Sequence, residues 1–296
     1  MNSLGTASQH NWGEQLRRQR LNLKLWQDTG ATDFNRQVTR RSYGHAFSVS
    51  DPNDPVWQRP TIFRALNQAG ITWRYYYQDS SVFLANWADW NDPQIQSKVR
   101  NISEWYNILA SPTADQDLPQ VVFIERASNT GLDEHPDNNV QTGAARVQQI
   151  LTALLTSTAW ADSVFMLTYD EGGGLFDHVG PILVTPPDNI TPDDLGQGDT
   201  PGLFNVTGFR VPFTVISPWV KPHTVVHLQG DYTSMLKLIE TRFNVPALTQ
   251  RDATASDLSD PNNGFFDFSA PHLLQVPPLP QQPTNGTCDQ RLEGHP

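Results

Sequence analysis

The chain has 296 residues, 38% of them hydrophobic, which suits one α/β domain or two small ones. Lys and Arg total 20 against 31 Asp and Glu, and the resulting formal charge of −11 argues against binding nucleic acid through phosphate contacts. The single cysteine, Cys288, excludes an internal disulfide and a cysteine zinc cluster, and no apolar run reaches the roughly 20 residues of a membrane-spanning helix.

Residues 1–30 differ in character from the rest of the chain. Glu14 to Trp26 is rich in Arg, Gln and Leu and predicts an amphipathic helix, which Asp28-Thr29-Gly30 breaks. No charged-then-apolar leader opens the chain. Ser50 to Pro60 holds three prolines and reads as a loop. Thr61 is placed to cap a short helix running to Gln68, with Gly70 ending it. Ile71 to Tyr77 is aromatic and of strand length.

Three runs, at 119–125, 163–170 and 211–217, are almost continuously apolar. Such runs suit strands buried on both faces of a parallel sheet. Between the first two, Val140, Ala144, Val147, Ile150, Leu151, Leu154 and Leu155 follow helical spacing. Strand, helix, strand is the unit of a parallel sheet with right-handed crossovers. Asp231 to Phe243 predicts a further helix, with Met235, Leu236, Ile239 and Phe243 on one face. Residues 185–208 and 276–287 are rich in Pro, Gly, Asp and Asn and read as loops. The expected fold is α/β, a three-layer α/β/α sandwich around a mostly parallel central sheet.

In such sheets the reactive groups collect beyond the C-terminal ends of the strands. Asp170 and Glu171 stand at one such end, followed by Gly172-Gly173-Gly174. Two adjacent carboxylates repel each other when buried, and a divalent metal ion relieves that repulsion through its preferred oxygen ligands. An acidic turn in a flexible glycine loop fits the spacing as well. Asp133-Glu134-His135-Pro136 follows the strand ending at Glu125 and lies at the same end of the sheet. His135 there is placed to bind a phosphoryl oxygen or carry a proton. Taken alone, the segment reads more readily as a polar loop whose acids favour a helix N-terminus. There is no Gly-x-Ser-x-Gly elbow, no zincin helix and no P-loop. Adjacent acids are also unsuited to the facing carboxylates of a glycosidase.

The string from Leu167 to Val179, Leu-Thr-Tyr-Asp-Glu-Gly-Gly-Gly-Leu-Phe-Asp-His-Val, closely resembles the Thr-Tyr-Asp-Glu-x-Gly-Gly-x-(Phe/Tyr)-Asp-His-Val signature of the phosphoesterase family. This family holds phosphatidylcholine-specific phospholipases C and acid phosphatases, within the alkaline phosphatase superfamily. Segments 61–74, 118–136, 208–219 and 231–243 match in the expected order, and the resemblance covers roughly residues 31–270. It implies a metal-dependent phosphoesterase acting on phosphate mono- or diesters, phospholipids among them, with one divalent metal ion. Asp170 and Glu171 would be the metal ligands. Ala31-Thr32-Asp33-Phe34-Asn35-Arg36 resembles the family's Pro-Thr-x-Pro-Asn-Arg segment. Thr32 is then the nucleophile, and Asn35 and Arg36 bind substrate. His135 would bond phosphoryl oxygens, and His178 would orient the carboxylates. The resemblance also implies an extracellular or periplasmic place of action.

One departure stands out. The family's N-terminal Glu-Asn-x-Ser-(Phe/Tyr)-Asp-His segment has no counterpart here. The expectation is therefore an alkaline-phosphatase-like fold lacking its first strand. It divides into an atypical segment 1–30, a phosphoesterase domain 31–275 and a Pro-rich tail 276–296. The alternative reading is a truncated, non-catalytic relative that binds phosphorylated ligands or a protein partner.

Overall fold

The computed structural model describes residues 61–79, 84, 88–127, 131–135, 138–172, 177–189 and 204–282. The helix expected over 14–26 lies outside them. Helix α1 runs Ile62–Gln68 and strand β1 Trp73–Tyr77. Short α2 (Pro93–Gln96), strand β2 (Val99–Asn101), α3 (Ser103–Leu109) and α4 (Ala114–Asp117) lead to β3 (Val121–Ile124). The long helix α5 (Val140–Leu155) connects to β4 (Phe165–Thr168). Strand β5 (Phe213–Ile216), α6 (Tyr232–Phe243) and α7 (Gln250–Thr254) complete the order.

β1 pairs in parallel with both β2 and β3, in the order β2-β1-β3, with Tyr75 opposite Val99 on one side and Phe123 on the other. Because side chains alternate along a strand, this ladder feeds two cores. Trp73, Tyr75 and Val121 join Ile62, Phe63 and Leu66 of α1 on one face, where Leu236, Ile239 and Phe243 of α6 also pack. Tyr76 points to the opposite face and meets Trp105 and Leu109 of α3, and Ile150 and Leu154 of α5. Helices on both faces of a parallel ladder are the three layers expected from the sequence. Phe63 ties its layer to the sheet by ring contacts with Trp73, Tyr75 and Phe123, at centroid distances of 4.7, 5.6 and 4.7 Å. Fully buried aromatic side chains of this kind contribute about 2–3 kcal/mol each.

β4 and β5 form a separate ladder, and they run antiparallel, with Phe165 opposite Ile216. The run at 211–217 is therefore a strand, but not one more parallel strand. All four residues of β4 are half-buried rather than enclosed. An apolar run carries no information on strand direction. Direction is set by the connection, and the described residues between β4 and β5 contain no crossover helix to reverse the chain. Phe165 and Ile216 nevertheless pack on the core that contains α5, so that helix covers parts of both ladders. Val140, expected on its apolar face, is exposed in the first turn, and Gly143 is buried instead. Beyond residue 275 the chain still packs: Val276 touches the same core, and Gln148 of α5 donates to the Pro280 carbonyl.

Thr61 does occupy the N-cap of α1, yet its side chain makes no cap. Its N–H and hydroxyl both donate to Oδ2 of Asp89, at 2.9 and 2.5 Å. Asp89 is fully buried and also pairs with Arg64. At α6 the sequence signal is realised directly. Asp231 accepts the Thr233 N–H at 2.7 Å and forms a capping box with Ser234, and Asn244 closes the helix in the left-handed region at φ 52°. The buried Arg251 of α7 grips the Asp231 carboxylate at 2.9 Å. Beside it, Glu240 of α6 is buried near the Asp252 carboxyl, which itself accepts the Leu248 N–H at 2.6 Å. Burial, and then the Asp252 carboxyl, push Glu240 up to about 8.

Both buried acids can be tested. Asp89→Ala removes the buried acceptor of two donors and should lower the unfolding free energy by about 2–3 kcal/mol in urea titration. A loss under about 0.5 kcal/mol would mean that α1 does not depend on this anchor. Glu240 binds its proton more tightly folded than unfolded, where the ordinary value is 4.5. The native state therefore holds the extra proton between pH 4.5 and about 8, and stability falls as pH rises through that window. Glu240→Gln should flatten this part of the stability profile, measured by thermal unfolding across pH.

Candidate active site

The chain leaves β4 at Thr168, and Tyr169-Asp170-Glu171 form the turn beyond its C-terminal end. The Asp170 carboxylate accepts the N–H of Glu171 at 3.0 Å, which folds the turn on itself. Tyr232, the first residue of α6, closes over it. Its hydroxyl donates to the Tyr169 carbonyl at 2.6 Å and lies 3.2 Å from the Asp170 carbonyl. Burial, followed by the charges of Asp170, Glu171 and Asp231, pushes the Tyr232 phenol far above its ordinary value. Both acids of the pair therefore act on one hydroxyl, which stays protonated and remains a donor.

This donor set is made of hard carboxylate oxygens, the chemistry a divalent cation selects. Among the described residues no group of three or more His, Cys, Asp or Glu comes together as a metal cage.

The second cluster lies on the loop after β3. Gly131 and Glu134 adopt φ values of 67° and 59°, which fold this loop tightly. The Asp133 carboxylate organises it by accepting from Arg126 Nη1 and Asn138 Nδ2, both at 2.7 Å, and from the His135 N–H at 3.3 Å. Glu134 turns towards α5 and lies against Gly143, where a Cβ would collide with its Cγ. Only glycine leaves that space. His135 itself is exposed.

The two clusters meet through side chains. The Tyr169 hydroxyl donates to Glu134 Oε2 at 2.6 Å, joining the acidic turn to the residue before His135. Burial and this bond push the Tyr169 phenol up to about 12. His178 sits apart from that contact. Its side chain is 81% exposed, with Nδ1 3.7 Å from Asp177. Asp177 is held by the Arg210 fork at 2.8 and 2.9 Å and by the Val179 N–H, which keep its carboxyl well below the usual range. Thr32, Asn35 and Arg36 lie outside the described residues.

Three residues of this arrangement, Tyr169, Tyr232 and Gly143, are not singled out as site candidates by the sequence, although Tyr169 belongs to the Thr-Tyr-Asp-Glu signature. Tyr169 directly precedes the acids, and that adjacency marks it. Tyr232 and Gly143 read from sequence only as members of a helix, because their roles arise from elements far away in the chain.

Comparison with known proteins places the chain in a family. The model of the phosphoesterase family matches residues 23–246. Phospholipase C B of Mycobacterium tuberculosis (strain ATCC 25618 / H37Rv) is 33% identical over 246 residues, covering 73% of this chain and 47% of that protein. The non-specific phospholipases C4 and C5 of Arabidopsis thaliana are 31% and 29% identical, each across 76% of this chain and 44% and 45% of their own lengths. The chain thus spans about half the length of these relatives. No helix among the described residues is long and apolar enough to cross a membrane. The family match extends over more than half of the chain and takes in both the histidine loop and the acidic turn, so this chain belongs to the phosphoesterase family.

Proposed function

We propose that the chain hydrolyses phosphoric esters, either phospholipids or small phosphate esters, using a site built from the acidic turn and the histidine loop. The observation that carries this reading is the 2.6 Å bond from Tyr169 to Glu134. It draws the loop after β3 and the turn after β4 together, although the two strands belong to different ladders. The relatives named phospholipase C support the reaction class.

In this reading Asp170 and Glu171 hold a divalent cation. When bound, that ion supplies charge neutralisation at the phosphate and acidifies a nearby hydroxyl. Thr32 is the nucleophile: its oxygen bonds to phosphorus while the bond to the leaving alcohol breaks, and the alcohol departs with a proton. His135 donates a hydrogen bond to a phosphoryl oxygen as charge builds there. Asn35 and Arg36 bind the phosphate, Arg36 through its planar fork. Water then attacks the phosphothreonine, releasing the phosphate product and returning the proton to the Thr32 oxygen. His178, seven residues beyond Glu171, is assigned to orient the carboxylates in this reading. Phospholipid substrates would suit an extracellular or periplasmic enzyme.

The test is hydrolysis of p-nitrophenyl phosphate and of phosphatidylcholine vesicles by the full chain, with manganese, calcium or magnesium titrated in. Asp170→Asn and Glu171→Gln should each lower kcat on the order of 100-fold and weaken metal binding in calorimetry. Hydrolysis that ignores both substitutions and survives chelation would overturn the assignment. Metal binding and phosphate binding without turnover would instead favour a non-catalytic relative.

A further inference from the structure

The acidic turn and the histidine loop follow strands that no common ladder joins among the described residues. Among the described residues, main-chain hydrogen bonds of one sheet therefore do not set their separation. The loop itself is conformationally costly. Glu134 is a non-glycine residue at φ 59°, a region that costs such residues about 1–2 kcal/mol. Something must compensate, and the compensating contact is a charge-assisted bond, the hydroxyl of Tyr169 on the Glu134 carboxylate. Tyr169 is fixed from its other side as well, because Tyr232 binds its carbonyl at 2.6 Å. Glu134 reaches its place only because position 143 of α5 has no Cβ.

We infer that Tyr169 is a positioning residue: its hydroxyl bond to Glu134, admitted by Gly143, sets the placement of His135 relative to Asp170 and Glu171. This inference rests on the reading of those three residues as the site. Tyr169 acts through Glu134 and takes no part in bond making. Three substitutions separate this role from general stability. Tyr169→Phe keeps the ring and deletes the hydroxyl. Gly143→Ala favours the helix intrinsically, yet it must displace Glu134. Glu134→Gln keeps an oxygen acceptor for Tyr169.

The experiment measures kcat and KM with p-nitrophenyl phosphate in the full chain, together with the His135 imidazole proton signal by NMR, assigned by its loss in His135→Ala. Tyr169→Phe and Gly143→Ala should each lower kcat about tenfold, with KM changing less than about threefold, and both should move the His135 signal. Glu134→Gln keeps an acceptor but loses its charge, so its kcat and its imidazole shift should both fall between those of the wild type and Tyr169→Phe. An unchanged kcat and an unmoved His135 signal in Tyr169→Phe or in Gly143→Ala, whichever folds as judged by circular dichroism, overturns the inference. Failure of the wild type to hydrolyse any phosphate ester overturns the proposed function instead, and the imidazole signal then decides the positioning role alone.

Discussion

Burial of helix α5 is the constraint on which the rest depends. Ile150 and Leu154 lie in one cluster with Tyr76 of β1, and Val122 and Ile124 of β3, Phe165 of β4 and Ile216 of β5 pack on that cluster. One helix thus holds both the parallel ladder and the antiparallel one. It also carries Gly143, the gap into which Glu134 fits. Core packing and site geometry are therefore linked through a single element. A shift of α5 that loosened Ile150 would also move the floor beneath the histidine loop. Close packing makes such coupling stiff, since interiors of this density have little room to absorb displacement.

Negative charge is the second constraint in this acidic chain. Carboxylates inside the fold are met by donors matched to their surroundings. Asp89 takes the Thr61 N–H and hydroxyl and Arg64, Asp133 takes Arg126 and Asn138, Asp177 takes the Arg210 fork, and Asp231 takes Arg251. Glu240 is handled differently. It lies buried near another carboxyl and is relieved by keeping its proton. Asp170 and Glu171 stand beside the Tyr232 hydroxyl, whose acidity their charge suppresses. An adjacent acid pair next to a retained donor is an environment suited to a cation and an anionic ester together.

Much of this was legible from residue order. The apolar runs and the 3.6-residue period between them specified β3, α5 and β4, and α5 begins and ends at the residues that the period marks. The extent and the apolar face of α6 were equally plain, because the helical spacing of its apolar residues is a local pattern. Elsewhere the missing information was not local. β2 and α3 lie in a stretch whose pattern is short and interrupted by Trp, Asn and Ser, and tertiary contacts of Trp105 and Leu109 stabilise it. Thr61 has the identity of a cap, but Asp89, 28 residues away, takes its donors.

The sequence by itself determined the types of α1, β1, β3, α5, β4, β5 and α6, the three-layer arrangement and the place of the acidic pair at a strand end. These follow from periodicity and from motifs that neighbouring residues define. Only the tertiary structure decided that β5 runs antiparallel to β4, that Tyr169 reaches Glu134, that Tyr232 closes over the acidic turn and that Gly143 leaves the space Glu134 fills. Each of these is a contact between residues separated by 9 to 63 positions along the chain, or by a whole loop. Strand direction and side-chain reach depend on how the connecting chain is routed through space, and no local pattern of amino acids encodes that route.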